Sequence, residues 1–231
     1  MSLLHRPRVS GWLRGHLLCR IDGIEDRFAV TFDDGPDPRS TGRVRDVLAR
    51  HGAHATFFML RGAIGREGAL VRELAGQGHE LAAHGEHHLP LPFLPPPVLT
   101  REIRAAADAI EAITGIRPRH YRPPFGLMLP AQARFARRLG LVPVLGDVYP
   151  EDATNPGVET VVDRVLTRLR GGSILILHDG SAWFDRDRSQ TVTALDRILA
   201  ATAARGLTGV TVADLLHAGG VRESVEAPFY T

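Results

Sequence analysis

Short apolar runs alternate with amphipathic stretches along the 231 residues of the chain. The apolar runs have the length of strands, and the amphipathic stretches place apolar residues three and four apart, as helices do. The predicted strands are residues 28–32, 53–59, 80–83, 119–122, 142–145, 173–177 and 208–212. The predicted helices are residues 42–51, 67–76, 100–114, 131–139, 160–170, 191–205 and 213–217.

This order of strand and helix, repeated about seven times, is typical of a mostly parallel sheet. The continuous apolar run at residues 174–177 also fits a parallel strand, because both faces of such a strand are covered. The sequence therefore predicts a single α/β domain, a distorted (β/α)7-type barrel over residues 28–217. Residues 1–27 are expected to pack on the barrel as an extension, with residues 218–231 as a tail. Reactive side chains are expected just beyond the C-terminal ends of the strands.

A proline-rich segment interrupts this pattern at residues 89–97, which contain five prolines. Such a segment forms neither a regular helix nor a central strand. We predict that Thr100 caps the helix that follows it and that Gly115 ends that helix.

The composition narrows the classes of function. The formal net charge is +2 and no block of Lys and Arg stands out, so nucleic-acid binding is not expected. A single cysteine excludes an intramolecular disulfide and a cysteine-based zinc site. No apolar run approaches the roughly 20 residues of a membrane span. The first residues lack the apolar core of a signal peptide, so the chain as written is expected in the cytoplasm, although a misassigned start would hide an export signal. The sequence does not indicate an oligomeric state.

Two predicted strands are followed by potential metal ligands. Asp33 and Asp34 are adjacent carboxylates, which repel each other unless a cation is near, although the same residues also suit a plain turn before a helix. His84 and His88 are four residues apart and could share one ion, although an isolated histidine cluster is often incidental.

One further predicted strand ends in Arg122, and His178 directly follows another. An arginine fixed by two following prolines could orient a carboxylate, or belong to a surface turn. A histidine at the end of an apolar strand suits proton transfer near neutral pH, or a structural role. The coincidence of four such strand ends favours an Asp-His-His site for zinc or a similar ion, with an open position for water.

These motifs resemble those of the polysaccharide deacetylases, carbohydrate esterase family 4 or the NodB homology domain. The resemblance runs from about Phe28 to Leu216, and the string TFDDGP at residues 31–36 is its most specific part. It implies that Asp33 is the catalytic base and that Arg122 holds it in place. It also implies a divalent metal, Zn²⁺ with Co²⁺ or Ni²⁺ as alternatives, bound by Asp34, His84 and His88.

The same resemblance implies the remaining roles. His178 would be the general acid, tuned by Asp152. The backbone N–H of Phe125 would stabilise the oxyanion, and Pro123 and Ile176 would line the substrate site, with Ile176 facing the acetyl methyl group.

The chain departs from the family pattern at three positions. Ala153 follows Asp152 where the family usually has Trp, so the acyl pocket is wider or is closed by another group, for which Trp183 and Trp12 are candidates. Phe125 replaces a common Tyr. Gly85 replaces the usual Ser or Thr between the ligand histidines, which removes a supporting hydroxyl.

The predicted function is a metal-dependent hydrolase that removes an N-acetyl or O-acetyl group from a saccharide, such as a glycan containing N-acetylglucosamine. In this hypothesis the metal binds water and the acyl carbonyl oxygen, Asp33 accepts a proton from the water, and His178 protonates the leaving group. One alternative is a deacylase or deformylase of an intracellular or lipid-linked sugar or another small amide. A second is a catalytically silent saccharide-binding protein, against which the complete set of ligand and proton-transfer residues argues.

Overall fold

A computed structural model of the protein describes residues 16–220. Seven strands form its sheet: β1 (Arg27–Asp33), β2 (Ala55–Met59), β3 (Glu80–Ala83), β4 (His120–Tyr121), β5 (Val142–Pro143), β6 (Ile174–His178) and β7 (Thr208–Val210). Its α-helices are α1 (Thr41–Arg50), α2 (Arg61–Arg66), α3 (Gly68–Gly76), α4 (Pro96–Thr114), α5 (Pro130–Arg138), α6 (Val158–Leu166), α7 (Ser189–Ala203) and α8 (Val212–Ala218). Short 3-10 turns lie at Leu91–Phe93, Pro124–Gly126 and Asp152–Thr154. None of these helices has the length and apolar character needed to cross a membrane.

The strands form a curved parallel sheet in the order β5-β4-β3-β2-β1-β6. Strand β7 pairs with residues 27–29 of β1, on the side where β2 pairs with residues 30–33. Between β5 and β6 the described residues contain no ladder. An isolated bridge from Val148 to Leu175 connects the two ends of the sheet there. The predicted barrel is therefore confirmed, and it is an open one.

Strand β1 shows why the apolar runs are continuous. Phe28, Val30 and Phe32 belong to a large buried cluster that also contains the apolar faces of α1 and α4. Ala29, between them, belongs to a second cluster with Val212 and other residues. Because successive residues of a strand point to opposite faces, both faces of β1 are buried.

Helix α4 begins four residues earlier than predicted. Pro96 and Pro97 occupy its first turn, where the missing N–H groups would have no partner within the helix. The predicted cap at Thr100 is therefore wrong, since the Thr100 hydroxyl lies inside the helix and donates to the carbonyl oxygen of Pro96 at 2.9 Å. The predicted end at Gly115 is confirmed, with a left-handed φ of 73°. The six-residue helix α2 was not predicted, because two glycines in so short a segment leave no apolar periodicity.

The described part of the N-terminal extension lies against the barrel. Leu17 is buried in the large apolar cluster, and Leu18 forms a parallel bridge with Val144 beyond β5. Residues 1–15 of the predicted extension and residues 221–231 of the predicted tail lie outside the described residues.

Candidate active site

The predicted reactive residues meet at the C-terminal edge of the sheet. Asp33 is the last residue of β1 and His178 the last residue of β6, and the two are register partners on adjacent strands. His84 and Arg122 follow directly after β3 and β4. Because parallel strands end at the same edge, residues far apart in sequence are brought together there.

The three predicted metal ligands form one cluster. Oδ1 of Asp34 lies 3.5 Å from Nε2 of His84 and 3.4 Å from Nε2 of His88. The three ligand atoms all lie within 4.8 Å of one another. Nδ1 of His84 is 2.9 Å from the carbonyl oxygen of Arg122. A hydrogen on Nδ1 would donate to that oxygen and leave the lone pair of Nε2 directed at the cluster.

The chemistry of this cluster fits a divalent ion. Oδ1 of Asp34 is buried and has no hydrogen-bond partner among the described residues, which is unfavourable for a carboxylate unless a cation compensates it. Burial raises the pKa of Asp34, but the nearby imidazole of His84 outweighs burial, so the pKa is lowered. Burial and the charge of His84 lower the pKa of His88 to about 4. Burial lowers the pKa of His84, but the charges of Asp33 and Asp34 outweigh burial and raise this pKa. A metal ion would therefore displace a proton from His84, because an ionised carboxylate and neutral imidazoles are the forms that bind metal.

The predicted base, Asp33, is held by a buried arginine. Nη1 of Arg122 donates to Oδ1 of Asp33 at 2.6 Å and to the hydroxyl of Thr31 at 2.7 Å. The guanidinium group lies 4.0 Å above the ring of Phe58, which fixes its plane. Oδ2 of Asp33 lies on the side of the metal cluster, 4.0 Å from Nε2 of His84. This oxygen is therefore placed to accept a proton in the site.

The predicted acid, His178, is bonded to the fully buried Asp152. Nδ1 of His178 lies 2.9 Å from Oδ1 of Asp152. The other oxygen of Asp152 accepts bonds from the backbone N–H of His178 and the hydroxyl of Thr191, both at 2.9 Å. Burial lowers the pKa of His178, but the charge and hydrogen bond of Asp152 outweigh it and raise the pKa to about 9. The imidazole is thus protonated at neutral pH.

The predicted substrate-binding residues surround the same edge. Phe125 has a left-handed φ of 60°, in the turn that follows Pro123. Phe125 is exposed, and its ring centroid lies 4.5 Å from that of His88. Ile176 precedes His178 by two residues on β6, so the two side chains share one face of the strand. The roles of the Phe125 N–H group, of Pro123 and of Ile176 stay predictions.

Trp183 reaches the metal side of the site. Its ring centroid lies 5.2 Å from that of His88, and its Nε1 donates to the carbonyl oxygen of His87 at 3.4 Å. Ala153, whose carbonyl oxygen accepts from Arg188 at 3.2 Å, lies in the turn beside Asp152. The other candidate for closing the acyl pocket, Trp12, lies outside the described residues.

Glu102 on α4 was not predicted as part of the site. It is 1% exposed, and its carboxylate accepts the backbone N–H groups of His87 at 2.9 Å and Leu89 at 3.1 Å, on either side of His88. A Cβ atom at Gly85 would lie 2.9 Å from Oε1 of Glu102. Gly85 therefore leaves room for a carboxylate that supports the ligand loop. The feature of the sequence that could have identified Glu102 is an acidic residue on the buried face of a helix.

Asp179 is a second unpredicted residue, behind the turn that carries Asp33 and Asp34. Its side chain is buried and accepts the hydroxyl of Thr41 at 2.5 Å, and its carbonyl oxygen accepts the hydroxyl of Ser40 at 2.6 Å. A Cβ atom at Gly35 would overlap its carboxyl group. Burial is the main reason that the pKa of Asp179 is raised to about 7.

The open α/β barrel brings the predicted base and the predicted acid together at one edge of its sheet, an arrangement that suits a hydrolase. The model of the polysaccharide deacetylase family matches residues 21–144, more than half of the chain. The protein therefore belongs to the polysaccharide deacetylase family and acts on carbon–nitrogen bonds other than peptide bonds.

Two curated relatives and one solved structure show the extent of this similarity. A peptidoglycan-N-acetylglucosamine deacetylase of Bacillus cereus is 36% identical over 205 residues, which cover 88% of this chain and 94% of the relative. A chitooligosaccharide deacetylase of Bradyrhizobium sp. is 36% identical over 185 residues, covering 77% and 84%. The structure of a peptidoglycan N-acetylglucosamine deacetylase in complex with 4-naphthalen-1-yl-N-oxidanyl-benzamide has a TM-score of 0.82 at 25% identity, covering 87% of this chain and 93% of that one.

Proposed function

We propose that the protein is a divalent-metal-dependent deacetylase that removes the N-acetyl group from a saccharide containing N-acetylglucosamine, with Zn²⁺ as the preferred ion. The observation that carries the proposal is the position of the Asp34, His84 and His88 cluster beside both proton-transfer pairs. The substrate class is supported by the relatives, which are named for peptidoglycan and chitooligosaccharide deacetylation.

The metal ligands and Asp33 have separate roles in the first step, the attack of water on the acyl group. Asp34, His84 and His88 would hold a divalent ion, which would supply a Lewis acid that polarises the acyl carbonyl group and makes water more acidic. Arg122 occupies Oδ1 of Asp33, so Oδ2 accepts a proton from the water that attacks the carbonyl carbon. Arg122 also keeps the Asp33 carboxylate in a fixed orientation, which favours proton transfer over a short and constant distance.

His178 completes the reaction. Asp152 holds the hydrogen on Nδ1, so Nε2 donates its proton to the amide nitrogen as the carbon–nitrogen bond breaks. The products are acetate and the free amine of the sugar. The backbone N–H of Phe125 stabilises the negative charge on the former carbonyl oxygen, and one such donor contributes roughly 10²–10³ in kcat. Proton transfer by each of Asp33 and His178 contributes roughly 10²–10⁴.

The test combines metal content with acetate release. Protein freed of metal by a chelator and reloaded with Zn²⁺ is assayed on N-acetylated chitotetraose, and its O-acetylated analogue separates N- from O-deacetylation. His88→Ala is expected to lose both bound Zn²⁺ and acetate release. The matched control is His217→Ala, because this exposed histidine of α8 belongs to no group of potential metal ligands among the described residues. Wild-type metal content in His88→Ala, or full activity after chelation, would contradict the proposal.

A further inference from the structure

A second group of potential metal ligands lies in the loop that carries His88. Glu86 and His87 belong to this loop, and Glu102 reaches it from α4. Their three ligand atoms all lie within 4.8 Å of one another. None of the three residues is a ligand in the cluster described above. We call this group the Glu-His-Glu cluster.

The spacing of the Glu-His-Glu cluster suits an ion better than direct hydrogen bonds. Nδ1 of His87 lies 3.5 Å from Oε2 of Glu86 and 3.4 Å from Oε2 of Glu102. Hydrogen bonds from a charged nitrogen to a carboxylate are shorter, about 2.7–2.9 Å. A tetrahedral zinc ion with bonds of about 2.1 Å, in contrast, separates its ligand atoms by about 3.4 Å. The first cluster has the same spacing, 3.5 and 3.4 Å from Oδ1 of Asp34 to its two histidines.

The two carboxylates of the cluster are shielded from water. The side chain of Glu86 is 5% exposed and that of Glu102 is 1% exposed. Two buried negative charges this close together are unfavourable unless a cation compensates them. The side chain of His87 is 59% exposed, so the cluster is open to solvent on that side and an ion can enter there.

A surface arginine supplies part of the missing positive charge. Nη2 of Arg101 donates to Oε1 of Glu86 at 2.7 Å, and its Nε lies 2.5 Å from Oε2. The Arg101 side chain is 69% exposed, and ion pairs of exposed arginines are weak. A divalent ion, which has twice the charge and can contact both carboxylates, can therefore displace it from Oε2 of Glu86.

We propose that Glu86, His87 and Glu102 form a second divalent-metal site, which Zn²⁺ fills. Two carboxylates and one imidazole are ligands that zinc accepts, with a position left for water. The second site fills only at higher free Zn²⁺ than the first cluster, because the ion must displace Arg101. An ion there would tie the loop of His88 to α4. The inference is independent of the proposed reaction.

The test is a titration of metal-free protein with Zn²⁺ at neutral pH, by calorimetry, with the number of bound ions counted by equilibrium dialysis. The wild type should bind two ions, the second at least about tenfold more weakly. His87→Ala should keep the tight event and weaken the second at least about tenfold, because even an indirect partner of a metal ligand contributes that much affinity. His217→Ala, the control, should bind both ions as the wild type does.

A variant with improved binding complements the variant with a loss. Arg101→Gln removes the competing cation and should tighten the second event, an effect that damage to the fold would not produce. Arg104→Gln is its matched control, because this arginine is 47% exposed on the same helix and pairs with Asp108. It should leave both events unchanged. His88→Ala should lose the tight event and keep the weaker one.

The outcomes separate the two sites. A single bound Zn²⁺ that is lost in His88→Ala would overturn the second site and leave the first. Unchanged second binding in His87→Ala, or equal second affinity in Arg101→Gln and the wild type, would also overturn the second site. A single ion that requires His87 and not His88 would overturn the metal site of the proposed function and support the Glu-His-Glu cluster.

Discussion

The hydrogen bond between Asp152 and His178 controls the pKa of the proposed acid. A single substitution of Asp152 should therefore change the pH dependence of the reaction. Asp152→Asn keeps the shape of the side chain and removes the charge that contributes most to raising the His178 pKa to about 9. In the variant, burial still lowers this pKa, and only the weaker effects of Asp34 and Asp33 oppose it. We therefore expect the pKa of His178 to fall to its ordinary value of about 6.5 or lower.

The size of the effect depends on pH in a specific way. The protonated imidazole, which is the acid in the proposed reaction, is present below the pKa and is lost as the pH rises through it. At pH 8, a pKa of about 9 leaves about 90% of His178 protonated, and a pKa of about 6.5 leaves about 3%. At pH 6 the corresponding fractions are about 100% and about 75%. The wild-type to variant ratio of kcat should be about 20-fold larger at pH 8 than at pH 6.

The assay is kcat for acetate release by the Zn²⁺-loaded enzymes between about pH 5.5 and pH 9.5. Any titration that both enzymes share cancels in the ratio. Glu151→Gln is the control, since this neighbouring carboxylate is 54% exposed and paired with Arg164. Glu151→Gln should leave the alkaline side of the pH profile of kcat at its wild-type position. A wild-type to Asp152→Asn ratio that is equal at pH 6 and pH 8 would refute the reasoning, because Asp152 would then only orient His178.

Two further predictions concern the carboxylates that support the site. Glu102→Gln should weaken Zn²⁺ binding about 10- to 100-fold in competition with a chelator, because a neutral amide holds the loop of His88 less firmly. Glu111→Gln, at an exposed position of α4, should bind Zn²⁺ as the wild type does, and equal affinity in Glu102→Gln would count against the idea. The folded-state pKa of Asp179 is about 7, above its ordinary 3.8, so ionising this buried carboxyl weakens the fold as the pH rises through that window. In urea unfolding, the difference in free energy of unfolding between Asp179→Asn and the wild type should shift in favour of the variant by up to about 4 kcal/mol between pH 4 and pH 8. A difference that stays constant over this range would contradict the prediction.

The fold was predictable because the sequence shows both the pattern of buried strands and the pattern of amphipathic helices. Continuous apolar runs such as 174–177 appear where both faces of a strand are buried, and amphipathic stretches appear where helices cover the sheet. The start of α4 differs from the prediction because prolines usually break a helix, whereas Pro96 and Pro97 stand in its first turn, where a helix accepts them.

The site was predictable where its residues stand at strand ends. Asp33, His84, Arg122 and His178 follow apolar runs, and the geometry of a parallel sheet alone brings such residues together. Glu102 and Asp179 act through contacts that no local pattern encodes. Asp179, for example, meets a hydroxyl 138 residues away in sequence.

The register of β1 and β6 has a consequence for how this fold diversifies. Asp33 and His178 face each other across one strand spacing, about 4.8 Å, which backbone hydrogen bonds set and side-chain changes do not alter. The rings of Phe125 and Trp183, in contrast, belong to connecting segments outside the ladder. Substitutions, insertions or deletions in those segments can therefore accumulate while the spacing between the backbones of the proposed proton acceptor and proton donor stays constant. Selection for a new acylated substrate can act on the rim and leave the inherited reaction geometry intact.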